Sequence, residues 1–290
     1  MNSRKSAMLN RYEEQFHATL IFPGTWMIST KSAALPYSCD CYLLEGDECA
    51  IAIDSGMAKL DIRAFMGLIT PLPILGVVNT HSHFDHTGGN GFFPKAYMHP
   101  LAEQGAKTPF GAKPGDAAES GYPLDYPVAL IREGHIFELG NRTLEVIEIG
   151  AHDLSSIALL DGGRRILFSG DELETGWCNV GCMGEHRRGM TIETHFSNMK
   201  KLKARWDEFD AVCPAHHGAP VSKELLNHVL IADRMILSGA VGDPNMPDKN
   251  GGGMLRGGDI RAMRYKMAHM GYDLNHIYED SSITGGSIWK

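Results

Sequence analysis

The chain has 290 residues, with 43% hydrophobic and 21% charged residues, which is an ordinary composition for a globular protein with a substantial core. The formal net charge of −8 argues against broad nucleic-acid binding, because such binding draws most of its affinity from neutralised phosphates. Residues 1–20 contain no continuous apolar run, so we expect neither a secretory signal nor a membrane span. Six cysteines are too few for a disulfide scaffold at this length, and we expect a cytoplasmic protein.

The first half of the chain predicts strands joined by tight turns and one helix. Cys41–Leu44 and Ala50–Ile53 are short β-like runs separated by a hairpin turn. Met57–Thr70 has helical spacing and stops before a proline. Ile74–Asn79 is an apolar run of the kind found in buried strands.

The second half alternates strands and helices. The predicted strands are Arg142–Ile149, Ser156–Leu160, Arg165–Ser169 and Phe209–Cys213, and the predicted helices are Ile192–Trp206 and Ser222–Ser238. We expect Ser222 to cap the last of these helices. The stretch 241–260 is rich in glycine and proline and predicts a loop. This alternation is typical of the α/β class, with mixed sheets covered by helices.

Polar side chains with metal-binding chemistry follow the predicted strand Ile74–Asn79. His81 and His83 project to the same side of an extended segment, which makes half of a site for an ion such as zinc. Asp85 and His86 offer an oxygen and a nitrogen to a second ion nearby. Three later positions at the ends of strands could complete the two ligand sets: His152, Asp171 and His216.

Five segments in chain order resemble the motifs of the metallo-β-lactamase superfamily. They are Asp54–Gly56, Thr80–Gly89, Gly150–Ser156, Phe168–Asp171 and Pro214–Pro220. Ala151 and Ser155 stand where the third motif usually has glycine, so we expect a differently shaped turn around His152. The resemblance implies a four-layer αββα sandwich of two mixed β-sheets flanked by helices. It implies a single domain over residues 1–290, with 241–290 as a C-terminal extension of loop, helix and strand.

The resemblance also implies two divalent metal ions and assigns their ligands. We expect zinc, with iron or manganese as alternatives. One ion would be held by His81, His83 and His152, the other by Asp85, His86 and His216, and Asp171 would bridge the two. Because the motif runs Pro-Ala-His, one residue, then Gly, we prefer His216 to His217 as the ligand and expect His217 to face the substrate or to orient a ligand.

The implied chemistry is hydrolysis by a hydroxide that the two ions share. Asp85 would be the catalytic carboxylate that orients this nucleophile and later delivers a proton to the leaving group. Enzymes of this fold that break β-lactams often lack a bridging aspartate, so Asp171 favours a hydrolase acting on a small-molecule carboxylic ester, lactone or thioester. Two alternatives stay open: an oxidoreductase similar to the mononuclear iron persulfide dioxygenases, and a phosphodiesterase of the same fold.

The segment Thr175–Met190 follows Asp171 directly, and we predict that it covers a small-molecule substrate. The candidates for substrate contact are Trp177, His186, Arg187 and His217. A guanidinium there could bind a carboxylate or phosphate, and a solvated basic turn is the alternative. For the stretch after Gly251 we expect helix packing, with a cover over the pocket or a homodimer interface as alternatives. We expect no nucleic-acid or membrane partner.

Overall fold

The computed structural model describes Tyr12 and residues 15–30, 39–57, 61–108, 124–181, 188–244 and 258–280. The chain divides into two compact units, Met1–Val146 (unit 1) and Ile147–Lys290 (unit 2). The expectation of a single domain over residues 1–290 stays a prediction. In the part of the chain that the structure covers, no helix combines the length and apolar character needed to cross a membrane.

Unit 1 is built on a seven-stranded mixed sheet. Its strands, which have the same order in space as in the chain, are β1 (Phe16–Phe22), β2 (Thr25–Thr30), β3 (Asp40–Glu45), β4 (Ala50–Ile53), β5 (Ile74–Val78), β6 (Ala96–Met98) and β7 (Val128–Leu130). Strands β1 to β4 pair antiparallel, and β4 to β7 pair parallel. All of β4 and most of β5 are buried, which explains their apolar sequences.

Helix α1 (Ile62–Ile69) connects the parallel strands β4 and β5. The side chain of Asp61 caps the helix by accepting a hydrogen bond from the Ala64 amide at 2.8 Å. Its buried residues share one helix face and are Ile62, Phe65 and Met66. This face follows the helical spacing of the sequence.

The remaining elements of unit 1 are short. Helices α2 (Phe84–Thr87) and α3 (Glu103–Ala106) follow β5 and β6. Single 3₁₀ turns cover Asn90–Phe92 and Pro100–Ala102. An antiparallel hairpin consists of β8 (Ile136–Glu138) and β9 (Thr143–Glu148), and the last two residues of β9 already belong to unit 2.

Unit 2 contains two sheets and two helices. To the first sheet, which has six strands and includes the β8–β9 hairpin, unit 2 contributes β10 (Ile157–Asp161), β11 (Ile166–Gly170), β13 (Ala211–Pro214) and β14 (Val221–Ser222). The strands of the second sheet are β12 (Trp177–Val180), β15 (Ile260–Tyr265) and β16 (Ala268–Asp273). In each sheet one pair of neighbours is parallel, β11 with β13 and β12 with β16, and the other pairs are antiparallel. The helices are α4 (Ile192–Ala204), followed by a 3₁₀ turn at Trp206–Glu208, and α5 (Glu224–Leu237).

The core of unit 2 forms where α4 and α5 bury one face each. The buried residues of these faces include Met199, Leu202, Leu225, Val229, Ala232 and Ile236. They belong to the same apolar cluster as Leu160 and Leu167 of the sheet. The cluster therefore holds the strand ends that carry His152, Asp171 and His216 on a rigid support.

The α/β class and the mixed sheets predicted from the sequence are confirmed. Ser222 ends β14 and Lys223 occupies the N-cap position of α5, but the Ser222 hydroxyl accepts a hydrogen bond from the Glu224 amide at 3.3 Å, which is the capping contact expected of it. One local expectation is wrong. The stretch after residue 258 forms the β15–β16 hairpin instead of packing as a helix. The reason is tertiary: β16 lies between β12 and β15, so both of its edges are hydrogen-bonded, and this pairing outweighs the helix-like spacing of Met263, Met267 and Met270 across the hairpin.

Candidate metal centre

In unit 1 the predicted ligands follow the end of β5. Nε2 of His81 lies 2.9 Å from Nδ1 of His83. His81 is completely buried, whereas His83 is partly exposed and occupies the N-cap of α2 with an extended backbone. Asp85 and His86 lie within α2, and Oδ2 of Asp85 is 3.6 Å from Nε2 of His86. The structure thus brings together all four predicted ligands of this unit in one strand-to-helix turn.

The buried carboxylate of Asp54 orients this turn. Asp54 ends β4 with φ of 55°, a left-handed conformation that Asp tolerates better than most residues. Its two oxygens accept hydrogen bonds from the backbone and hydroxyl of Thr80, both at 2.8 Å, and Oδ2 faces Nδ1 of His86 at 2.9 Å. Because Nδ1 of His86 is engaged, the ring keeps Nε2 for a metal ion. Nδ1 of His81 likewise lies 3.1 Å from the Thr80 hydroxyl.

The two glycines behind the ligand cluster allow a close backbone approach. A Cβ at Gly88 would lie 2.8 Å from the carbonyl oxygen of Gly56, and one at Gly89 would lie 2.6 Å from that of Ser55. The two segments are close enough for the Ser55 amide to donate a hydrogen bond to the His86 carbonyl oxygen at 2.8 Å. Glycine is therefore needed here to pack the His-x-His-x-Asp-His loop against the Asp54 segment.

In unit 2 the carboxylate of Asp171 lies between two imidazoles. Its Oδ2 is 3.6 Å from Nε2 of His152 and 3.5 Å from Nε2 of His216. Asp171 follows β11 and His216 follows β13, two neighbouring parallel strands that end at the same edge of the sheet. Nδ1 of His152 lies 2.7 Å from the carbonyl oxygen of Asn179, to which it donates, so Nε2 is the nitrogen that faces Asp171.

The turn at His152 is held by Glu172, which sequence reasoning missed. Oε1 of this fully buried carboxylate accepts hydrogen bonds from the amides of Ala151 and His152 at 2.8 and 2.7 Å. Burial raises the pKa of Glu172 to about 7, although the nearby charge of His195 and the two amide donors act in the opposite direction. The only sequence signal for this role is its position next to Asp171.

The doublet His216-His217 is divided between two environments. His216 faces Asp171, whereas the His217 side chain is 56% exposed and has its Nε2 3.4 Å from Oε2 of the buried Glu174. His217 adopts φ of 65°, and its ring lies against Gly176, where a Cβ would be 1.9 Å from the ring. The structure therefore places His216 with the other predicted ligands of unit 2, while His217 lies against Glu174 and Gly176.

The other predicted substrate contacts are less informative. Trp177 is half-buried in β12, with the guanidinium of Arg264 4.9 Å from its ring centroid and the ring of His269 at 5.4 Å. The predicted contacts His186 and Arg187 lie outside the described residues. The role of the segment Thr175–Met190 in covering a substrate stays a prediction.

A buried charge network in unit 2 also escaped sequence reasoning. Nδ1 of His195 lies 2.8 Å from Oδ2 of Asp233, and its Nε2 lies 2.9 Å from the carbonyl oxygen of Glu172. Burial alone would lower the pKa of His195, but the Asp233 carboxylate raises it well above its ordinary value. Since both nitrogens face acceptors, we describe His195 as an imidazolium that supports the Glu172 backbone. Its position on the buried face of α4 was the available signal.

The donor set fits a divalent metal ion such as zinc. Two ligands of a tetrahedral zinc ion, each about 2.0–2.1 Å from it, lie about 3.3–3.4 Å apart. The separations of 3.5 and 3.6 Å around Asp171 and of 3.6 Å between Asp85 and His86 are close to this value. Each of the seven predicted ligands belongs to a group of at least three side chains that could hold a metal ion. A further group, Cys39 with Asp54 and His86, is buried in unit 1, where Asp54 is already engaged by Thr80.

The site combines imidazole and carboxylate donors at the ends of strands, and each unit is built on a mixed sheet. These features define an α/β protein with a candidate metal centre. The sequence profile of the metallo-beta-lactamase superfamily matches residues 34–178, which is half of the chain. The protein belongs to this superfamily.

The sequence is similar to curated members of the superfamily over less than their full length. It is 30% identical over 162 residues to acyl-coenzyme A thioesterase MBLAC2 of Gallus gallus, covering 47% of this chain and 57% of the relative. The human protein of the same name is 28% identical over 166 residues, with 47% and 58% covered. The hydroxyacylglutathione hydrolase of Rhodobacter capsulatus is 34% identical over 105 residues, which is 35% of each chain. The chain thus spans little more than half the length of the thioesterases that it matches.

Solved structures agree on the fold. A metallo-beta-lactamase from Pontibacter korlensis superposes with a TM-score of 0.57 at 20% identity, covering 76% of this chain and 99% of the other. A metallo-beta-lactamase family protein from Thermus thermophilus gives a TM-score of 0.58 at 18% identity, with 75% and 81% covered. At these identities the likeness shows the metallo-β-lactamase fold and carries no statement about activity.

Proposed function

We propose that this protein is a metal-dependent hydrolase that cleaves thioesters of small molecules. The observation that carries the proposal is the position of Asp171, one oxygen of which lies at ligand-like distances from both His152 and His216. A carboxylate between two imidazoles is the arrangement expected of a ligand shared by two ions. The thioester is favoured because the relatives' names describe hydrolysis of acyl groups carried by coenzyme A and by glutathione, which are both thiols.

We further propose that the ligands of the two units hold two zinc ions. His81, His83 and His152 would bind one ion, and Asp85, His86 and His216 the other, with Asp171 shared. Bound zinc supplies the Lewis acidity that makes water a nucleophile near neutral pH and polarises a carbonyl group. The orienting contacts of His86 with Asp54 and of His152 with Asn179 support this assignment, because each leaves the Nε2 atom for a metal.

Asp85 is the residue that we propose as the proton carrier. Its side chain is 15% exposed, so it is accessible to a substrate, and it sits beside the buried His86. A carboxylate in this position can accept a proton from the attacking water and return it to the leaving group. The chain's contribution to catalysis would thus be positioning, through α2, together with proton transfer through Asp85.

A substrate panel on protein of measured metal content tests the proposal. An acyl-coenzyme A, an acyl-glutathione, a lactone and a phosphodiester would be compared, and we expect turnover of the first two. His83→Ala should abolish this turnover and lower the metal content, whereas His17→Ala, a change at an exposed histidine of β1, should alter neither. Faster turnover of the phosphodiester would contradict the proposal, and so would oxygen uptake with a persulfide substrate by the iron form.

A further inference from the structure

A pocket with a basic rim lies in unit 2, and its lining includes none of the residues proposed to hold metal. It has a volume of about 510 Å³ and is formed by α4, α5 and the turn between β15 and β16. Its cations are Lys200 and Lys203 of α4, Arg234 of α5 and Lys266 of the turn, and its apolar wall contains Leu230 and Ile231. A cationic rim beside an apolar wall is suited to a small organic anion.

The four cations of the rim rest on aromatic rings. Nζ of Lys200 lies 4.8 Å from the ring centroid of Phe196, and the Arg234 guanidinium lies 6.0 Å from the same centroid. Lys203 and Lys266 lie over Trp206 and Tyr265. Among the described residues, none of the four forms an ion pair with a carboxylate. An aromatic face attracts a cation but leaves its N–H groups free to donate to a ligand.

The charge of the pocket contrasts with the charge of the chain. Glu224 is the single carboxylate among the residues that line it, and this carboxylate accepts a hydrogen bond from Asn227 at 2.7 Å. The lining therefore carries a formal net charge of +3, on a chain whose net charge is −8. A local concentration of positive charge in a concave surface raises the local concentration of anions.

His228 adds a polar side chain to the lining of the pocket. Its side chain lines the pocket, and its Nδ1 is buried without a hydrogen-bond partner in the described part of the chain. Burying a polar atom without a partner costs free energy, so such atoms are rare in folded proteins. His228 is therefore a polar group of the lining whose environment a bound ligand would change.

We propose that this pocket binds a small organic phosphate whose phosphate groups carry at least two negative charges. The phosphate oxygens would accept hydrogen bonds from Lys200, Arg234 and Lys266, and the organic part would pack against Leu230 and Ile231. Arg234 suits this role because a guanidinium donates two parallel hydrogen bonds to one phosphate. This binding site goes beyond the proposed hydrolysis and uses none of its residues.

Titration calorimetry of the metal-loaded full chain with ADP as the probe tests this site. We expect one binding event that weakens about tenfold or more in Lys200→Ala/Arg234→Ala, because hydrogen bonds between two charged groups are lost. The matched control is Lys95→Ala/Lys107→Ala. It removes two lysines that likewise lie over aromatic rings, here of tyrosines, but are outside the pocket. ADP affinity should be unchanged in this control and in His83→Ala.

The outcomes separate the pocket from the metal centre. Loss of ADP binding in His83→Ala but not in Lys200→Ala/Arg234→Ala would overturn the proposal, because the probe would then bind at the metal ligands. Absence of binding to the wild-type chain would also overturn it. The ring ¹⁵N signals of His228, assigned by their loss in His228→Gln, should shift on addition of ADP, and unmoved signals would contradict the proposal. None of these readouts depends on thioester turnover.

Discussion

Asp54 shows how much of the proposed metal centre depends on a residue that binds no metal itself. Its carboxylate contacts both Thr80 and His86, and its own position at the end of β4 requires a left-handed backbone. Asparagine tolerates this conformation as well and has nearly the same shape. The change Asp54→Asn therefore removes the charge that faces His86 while keeping the backbone.

We expect Asp54→Asn to weaken metal binding about 10- to 100-fold, because partners that orient a ligand histidine have effects of this size. Competition with a zinc chelator, read by metal analysis, measures the change. Asp125→Asn, at an exposed loop residue, is the control and should leave metal affinity unchanged. Equal affinities for all three proteins would show that His86 does not need Asp54 for its orientation.

Asp85→Asn tests the proton carrier. The amide can keep contact with a metal through its oxygen but cannot accept a proton. We expect kcat to fall about 10²- to 10⁴-fold, the usual contribution of general acid–base catalysis, with a smaller change in bound metal. Thioester turnover and metal content measured on the same samples check this. A kcat within a factor of about two of the wild type would remove Asp85 from the proton transfer.

The clustering of the proposed ligands in unit 1 could be predicted from sequence, and Asp54 belongs to a predicted motif, but the contact of Glu172 with the His152 turn could not be predicted. His81, His83, Asp85 and His86 lie within six residues of each other, so their proximity in the chain is enough to place them together. Glu172 contacts the amide of His152, 20 residues away, and its position next to Asp171 does not identify this partner. Such contacts depend on which strands are neighbours, which follows from the whole topology.

At the scale of elements, the dependence on distant contacts explains why the sequence predicts β4 and β5 as strands but does not predict β16. These two strands of unit 1 are apolar runs of four and five residues, a pattern and length that favour a buried strand. Across the β15–β16 hairpin, Met263, Met267 and Met270 recur at a spacing that fits a helix face. Hydrogen bonding to β12 on one edge and to β15 on the other makes β16 a strand. β12 is distant in the sequence, and β15 lies across a turn, so the local sequence does not show this pairing.

The packing of α2 against the Asp54 segment gives a prediction at this scale. Gly89→Ala would place a methyl group 2.6 Å from the Ser55 carbonyl oxygen, and we expect a loss of about 1–3 kcal/mol in the free energy of unfolding. Gly67→Ala is the matched change in an open position of α1, where a Cβ meets nothing within 4 Å. It should gain about 0.5–1 kcal/mol, because alanine favours a helix. Urea unfolding measures both, and a neutral Gly89→Ala would mean that α2 can shift freely.

At the scale of the molecule, the buried pair of His195 and Asp233 links three elements of unit 2. His195 lies on α4, Asp233 on α5, and the carbonyl of Glu172 on the loop after β11. A protein domain is stable by only about 5–15 kcal/mol, so a single buried charged pair affects a large part of this margin. Cys178, whose pKa burial raises to about 12, stays a neutral thiol beside the pair.

We expect His195→Gln to lower the free energy of unfolding by about 3 kcal/mol, because it leaves the charge of Asp233 buried without a partner. The double variant His195→Gln/Asp233→Asn should recover part of this loss, since it removes the unpaired charge as well. If the double variant were instead less stable by the sum of two independent losses, the two side chains would not act as a pair. Urea unfolding of the metal-loaded proteins measures the cycle.

The pH dependence of this loss follows from the direction of the shift. The folded pKa of His195 is raised above the unfolded value of about 6.5, so the folded state binds the proton more tightly than the unfolded state. The stabilisation is therefore fully present below about pH 6.5 and is lost as the pH rises through the raised pKa. The charged or titratable groups facing His195 are Asp233, Glu172 and Cys178, and all three remain in His195→Gln. The difference in the free energy of unfolding between wild type and His195→Gln should accordingly shrink from pH 6 towards alkaline pH. A difference that grows with pH would show that His195 is neutral in the folded protein.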